Sequence, residues 1–99
     1  MARNRVELEG TIVSEPRRSR TPAGTAVVSF RVRIDAEPEV TGASGCTIAV
    51  VSLGETAGAE LANGTSVAIE GKLAERRWTT QSGLKQSRLE LLALSIRRI

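Results

Sequence analysis

The sequence predicts an all-β protein, a five-stranded Greek-key barrel with one short helix between strands three and four. Three observations carry that expectation. Apolar and polar residues alternate at period two in segment after segment, turn-forming clusters of Gly, Pro, Ser and Thr separate those segments, and the apolar residues are almost all aliphatic, with one Phe, one Trp and no Tyr in 99 residues. A chain of this length makes one domain, residues 1–99, around one core.

Strand one is expected over Arg5–Val13, where Val6, Leu8, Gly10 and Ile12 share one side and Arg5, Glu7, Glu9 and Thr11 the other. Gly10 interrupts the apolar face, the mark of a bulge, a bend or a close backbone approach. The next residues, Ser14–Gly24, hold two prolines and three arginines and end in Thr-Pro-Ala-Gly, so they read as a loop closed by a turn. Arg17, Arg18 and Arg20 on that loop either grip phosphates or are solvated charges on a hairpin tip.

Strand two, Thr25–Asp35, is the clearest, with Val28, Phe30, Val32 and Ile34 on the core side and Ser29, Arg31, Arg33 and Asp35 outside. Arg31 and Arg33 stand about 7 Å apart along it, and serve either an extended phosphate backbone or cross-strand pairing with Glu7 and Glu9. Ala36–Gly45 is an acidic, then small and flexible connection. Cys46–Leu53 follows as strand three, with Ile48, Val50, Val51 and Leu53 covered on much of both faces and Cys46 a small buried residue. Glu55–Asn63 has an acidic first turn, an alanine-rich body and an Asn-Gly stop, which predicts the short helix.

Strand four starts at Val67, with Val67, Ile69, Gly71 and Leu73 inward and Glu70, Lys72, Arg76 and Trp78 outward. Thr79–Gly83 makes its turn, so Trp78 is either a stacking platform near the tip of a long hairpin or a lid folded back on the barrel. Strand five is Arg88–Ile96, where Leu89 and Leu91 match one parity and Leu92, Leu94 and Ile96 the other, placing a bulge near Leu91–Leu92. This layout, with basic loops after strands one and four, is that of an OB-fold, which binds oligonucleotides or oligosaccharides in many settings.

Composition narrows the functions further. Fourteen basic residues, twelve of them Arg, face eleven acidic ones, giving a net charge of +3 and favouring a polyanionic partner. One Cys and no His remove any disulfide within the chain, any ordinary zinc site and the commonest general base, so neither an enzyme nor a metal or other cofactor is expected. The polar start and the lack of a long apolar run point to a cytoplasmic protein with no membrane partner.

Specific landmarks then resemble one family along nearly the whole chain. They are Asn4-Arg5-Val6 through Leu8 and Gly10, then Thr21–Gly24, Val50–Gly54, and above all Gly64–Leu73 running on into Arg76–Gly83. Together they are similar to the bacterial single-stranded-DNA-binding proteins. The resemblance implies that Trp78 stacks on bases, and that three further aromatic positions of the best-known members are lost here, within Ala36–Pro38, at Thr47 and at Leu53. It implies phosphate contacts from Arg31, Arg33, Lys72, Arg76, Arg77 and Lys85, with Arg17, Arg18 and Arg20 next. It also implies a homodimer or homotetramer. A short relative within the family, primosomal replication protein N, is similar in size, and this keeps a second reading open: an adaptor for a helicase or other primosome proteins, with DNA contact secondary.

Overall fold

A computed structural model describes residues 3–36, 42, 44–54 and 61–99. Its strands are β1 (Val6–Ile12), β2 (Arg17–Arg20), β3 (Ala26–Ile34), β4 (Cys46–Leu53), β5 (Ser66–Thr79) and β6 (Lys85–Arg98). The sheet runs β1-β5-β6-β4-β3-β2, and β1 also pairs with β3, so the hydrogen-bonded neighbours β1, β5, β6, β4 and β3 form a ring. Every pairing is antiparallel except β4 with β6, which lie parallel through Ala49↔Glu90 to Ser52↔Ala93.

The inward halves of the alternating segments fill the ring. Ile12, Val28, Phe30, Val32, Val50, Val67, Ile69 and Leu91 are buried, and Val6, Leu8, Ile34, Ile48, Leu61, Ala93 and Ile96 pack against them. Removing this aliphatic surface from water, at about 25 cal/mol per Å² of apolar area, is the main favourable term for so small a domain. Phe30 takes its expected core place, while Arg31 and Arg33 on the same strand are exposed.

Two glycines allow the ring to close. A Cβ at Gly10 would lie 2.4 Å from the carbonyl oxygen of Arg33, so β3 crosses β1 there at a distance only hydrogen permits. A Cβ at Gly71 would lie 2.1 Å from the carbonyl oxygen of Leu92. Both contacts are with backbone. Beside Gly71 the β5–β6 register slips, because Glu70 faces Ser95 while Gly71 faces Ala93. Leu94 is the extra residue, and it is 68% exposed.

Several expectations are corrected. The bulge falls at Leu94 rather than near Leu91–Leu92, since Leu91 and Ala93 keep facing Leu73 and Gly71, and parity changes only before Ile96. A sixth strand, β2, lies in the segment read as loop, because Arg17–Arg20 pair with Ala26–Ser29 along the edge of β3 that β1 leaves open. Cys46 is exposed, since strand β4 begins there at the rim. Leu53 is 58% exposed rather than covered. Of the expected helix at Glu55–Asn63, residues 55–60 lie outside the described residues, and 61–64 hold no helix but a turn at Asn63–Gly64. No described element is helical, so no helix is long and apolar enough to cross a membrane.

Asn4 and Ile99 are both tied to β5. Asn4 donates through Nδ2 to the carbonyl of Leu73 at 2.8 Å and accepts at Oδ1 from the Leu73 N–H at 2.9 Å. The N–H of Ile99 donates to the carbonyl of Ser66 at 3.0 Å.

Candidate nucleic-acid interface

The β5–β6 hairpin runs past the ring as an arm, and a hydrogen-bonded turn closes its tip. The Thr80 N–H donates to the Leu84 carbonyl at 2.8 Å, the Gly83 N–H to the Thr80 carbonyl at 2.9 Å, and the Leu84 N–H to Thr80 Oγ1 at 3.1 Å. Alternation then puts Lys72, Ala74, Arg76 and Trp78 on one face of β5, and Leu73, Glu75, Arg77 and Thr79 on the other. Trp78 is 40% exposed, so it is no sealed lid on the core.

A groove of about 820 Å³ lies across the sheet between β2 and the root of this arm. Five arginines line it, Arg17, Arg20, Arg31, Arg76 and Arg88, against two glutamates, Glu15 and Glu90. Val27, Val51, Leu53 and Leu92 supply apolar surface between the charges. From β2 to β5 by way of β3, β4 and β6 is four inter-strand steps, about 19 Å, which leaves room for several nucleotides.

Local hydrogen bonds aim the arginines. The backbone of Arg31 is held by a 2.9 Å bond from its N–H to Ser14 Oγ and by the Val13 N–H donating to its carbonyl at 2.9 Å. Among the described residues neither Arg17 nor Arg31 makes an ion pair. Arg20 donates to the Gly24 carbonyl at 2.9 Å, which fastens it to the Thr21–Thr25 turn.

A smaller hollow of about 370 Å³ flanks the arm tip, lined by Glu75, Arg77, Trp78, Thr79, Lys85, Gln86 and Ser87. Arg77 Nε donates to Glu75 Oε1, and that hydrogen bond, with the charge of Glu75, raises the already high guanidinium pKa. Arg77 therefore stays cationic at any working pH.

A third hollow, about 750 Å³, has the opposite character, with Glu7, Glu9, Asp35 and Glu70 against Arg33 and Arg97. Arg33 meets Asp35 at 3.6 Å, and Arg5 meets Glu7 at 2.7 Å and Glu70 at 3.3 Å. Charge is thus sorted between a cationic groove and an acidic hollow.

The ten expected site residues accordingly divide. Arg17, Arg20, Arg31 and Arg76 share the groove, and Arg77, Trp78 and Lys85 share the arm tip. Arg33 sits in the acidic hollow instead, facing Thr11 on β1 rather than a glutamate. Arg18 and Lys72 line none of the three, although Lys72 is exposed on the same face of β5 as Arg76.

Two groove residues escaped the sequence reading, Arg88 and Glu90. Their signal was present, because counting outward in step from the turn puts Arg88 opposite Arg76, with Glu90 two residues further on the same face. Among the described residues no group of three or more His, Cys, Asp or Glu side chains is arranged to hold a metal ion.

Residues 3–99 match the single-strand binding protein family. The chain is also 30% identical over 101 residues to a single-stranded DNA-binding protein of Thermotoga maritima, across 95% of this chain and 72% of that one.

Proposed function

Because the chain belongs to the single-strand binding protein family, we propose that it binds single-stranded DNA without sequence preference, along the arginine groove and onto the arm. The observation that carries this reading is the sorting of charge, five arginines and two glutamates on one face against four carboxylates and two arginines in the hollow elsewhere. A single strand presents a charged backbone and stackable bases. Arg17, Arg20, Arg31 and Arg76 would meet phosphates, the apolar floor would take sugars and base edges, and Trp78, with Arg77 and Lys85 beside it, would stack a base near the tip. The ring of pairings with its parallel β4–β6 contact supports an OB-fold barrel as the scaffold. No catalytic step enters this mechanism.

Titrating labelled oligo-dT at rising salt tests it. Each neutralised phosphate contributes a slope of about −0.7 for single strands, so four phosphates met by Arg17, Arg20, Arg31 and Arg76 give about −2.8. Affinity then falls about 50-fold between 50 and 200 mM salt. A slope near zero would remove the groove from the reading.

Self-association belongs to the same proposal. Among the described residues the second edge of β1 pairs with β3 only at Thr11 and Ile12, so the backbone of Val6–Glu9 offers an edge to another chain. Exposed Leu94, Ile99 and Leu89 add apolar surface in the single chain. Sedimentation equilibrium is expected to give two or four times the 10.5 kDa of one chain, and a monomer at micromolar concentration would reject the idea. Nothing in the groove or the comparisons favours the primosome adaptor over DNA binding.

A further inference from the structure

Glu90 is the anomaly of the groove. It is a carboxylate with a side chain only 7% exposed, on a face otherwise built to attract anions. Its Oε2 accepts from Arg88 at 2.7 Å and lies 4.0 Å from Arg76, while the side chains of these two arginines are 52% and 65% exposed. Arg76 and Arg88 are directly opposed across β5 and β6, where two like charges repel unless something between them compensates. No buried side-chain polar atom among the described residues lacks a hydrogen-bond partner, so Glu90 is satisfied by this arrangement.

We infer that Arg76, Arg88 and Glu90 form one subsite for a single phosphate, in which Glu90 holds the two arginines side by side and moderates their pull on the strand. Arg88 is a direct contact in this subsite, and Glu90 is a positioning residue acting through the arginines. With both arginine side chains more than half exposed and each turning one nitrogen to the shared carboxylate, each keeps further N–H donors for a phosphate oxygen. The buried negative charge beneath them opposes that phosphate. The carboxylate therefore gives up affinity in exchange for order, and its removal should move stability and binding in opposite directions. This inference rests on the groove being the DNA path.

The test compares wild type, Glu90→Gln, Arg88→Gln and Glu9→Gln in oligo-dT titrations at several salt concentrations, each with a thermal melt. Glu90→Gln keeps the shape, loses the charge, and is expected to bind about threefold to tenfold tighter, with a steeper salt slope and a lower Tm. Glu9→Gln makes the same change in net charge within the acidic hollow and should leave the slope unchanged. Arg88→Gln should weaken binding by about threefold to tenfold and flatten the slope. A folded Glu90→Gln that binds no tighter than wild type, or a gain matched by Glu9→Gln, overturns the role of Glu90. If Glu90→Gln does not fold, Arg88→Gln decides, and wild-type affinity there overturns the subsite. Binding by wild type with either of those failures leaves the proposed function standing, whereas no binding by wild type removes both.

Discussion

Replacing Trp78 by alanine is expected to weaken oligo-dT binding by about 5-fold to 150-fold while leaving the thermal melt nearly unchanged. The size follows from a base–aromatic stack being worth about 1 to 3 kcal/mol. The upper part of the range is expected because this chain has one Trp, one Phe and no Tyr, and Phe30 is only 4% exposed in the core. No other large aromatic can take over the stacking. Stability should hardly change, because Trp78 stands at the arm tip outside the buried cluster. The wild type also carries its own reporter, since with a single Trp the indole emission belongs to Trp78 alone and should be quenched as strand binds. Unchanged affinity in Trp78→Ala, or unchanged emission on saturation with oligo-dT, would take the arm tip out of the binding path.

The second large effect is on folding. Gly71→Ala is expected to cost about 3 kcal/mol or more, because the new methyl would sit 2.1 Å from the Leu92 carbonyl oxygen and 3.1 Å from the Ala93 Cα. Neither atom belongs to a side chain that can swing away. For a domain of this size such a loss lowers Tm by about 10–25 °C. Gly24→Ala makes a useful contrast. Gly24 has φ +89° with nothing within 4 Å of a Cβ, so only backbone strain of about 1 to 2 kcal/mol is expected there. Equal melts for the two variants would show that the β5–β6 contact at the bulge is not tight.

These effects separate what the residues disclose along the chain from what depends on chain meeting chain. The β3 strand was legible within one residue at each end, because strict alternation leaves one workable register, and β4 to the residue at Cys46–Leu53, because Gly45 and Gly54 bound its apolar run. The short β2 was not legible. Arg17–Arg20 has no apolar face of its own, and it becomes a strand only because the neighbouring half of β3 lacks another partner. The parity switch in β6 could be read, but its place depended on Leu91 meeting Leu73 and Val50, a tertiary fact. The same holds at the site. Arg31 and Arg33 look alike in sequence, yet one lines the cationic groove and the other an acidic hollow, because β1 and its glutamates crowd only the far half of β3.

The bond from the Ile99 N–H to Ser66 fixes where Ile99 sits, at the opposite end of β5 from Trp78. Thirteen residue steps at about 3.3 Å place it roughly 40 Å from the arm tip. A fluorophore, affinity tag or surface tether joined there would leave the arm tip clear. Such a molecule, anchored through Ile99, would hold out its indole toward whatever strand is flowed past it.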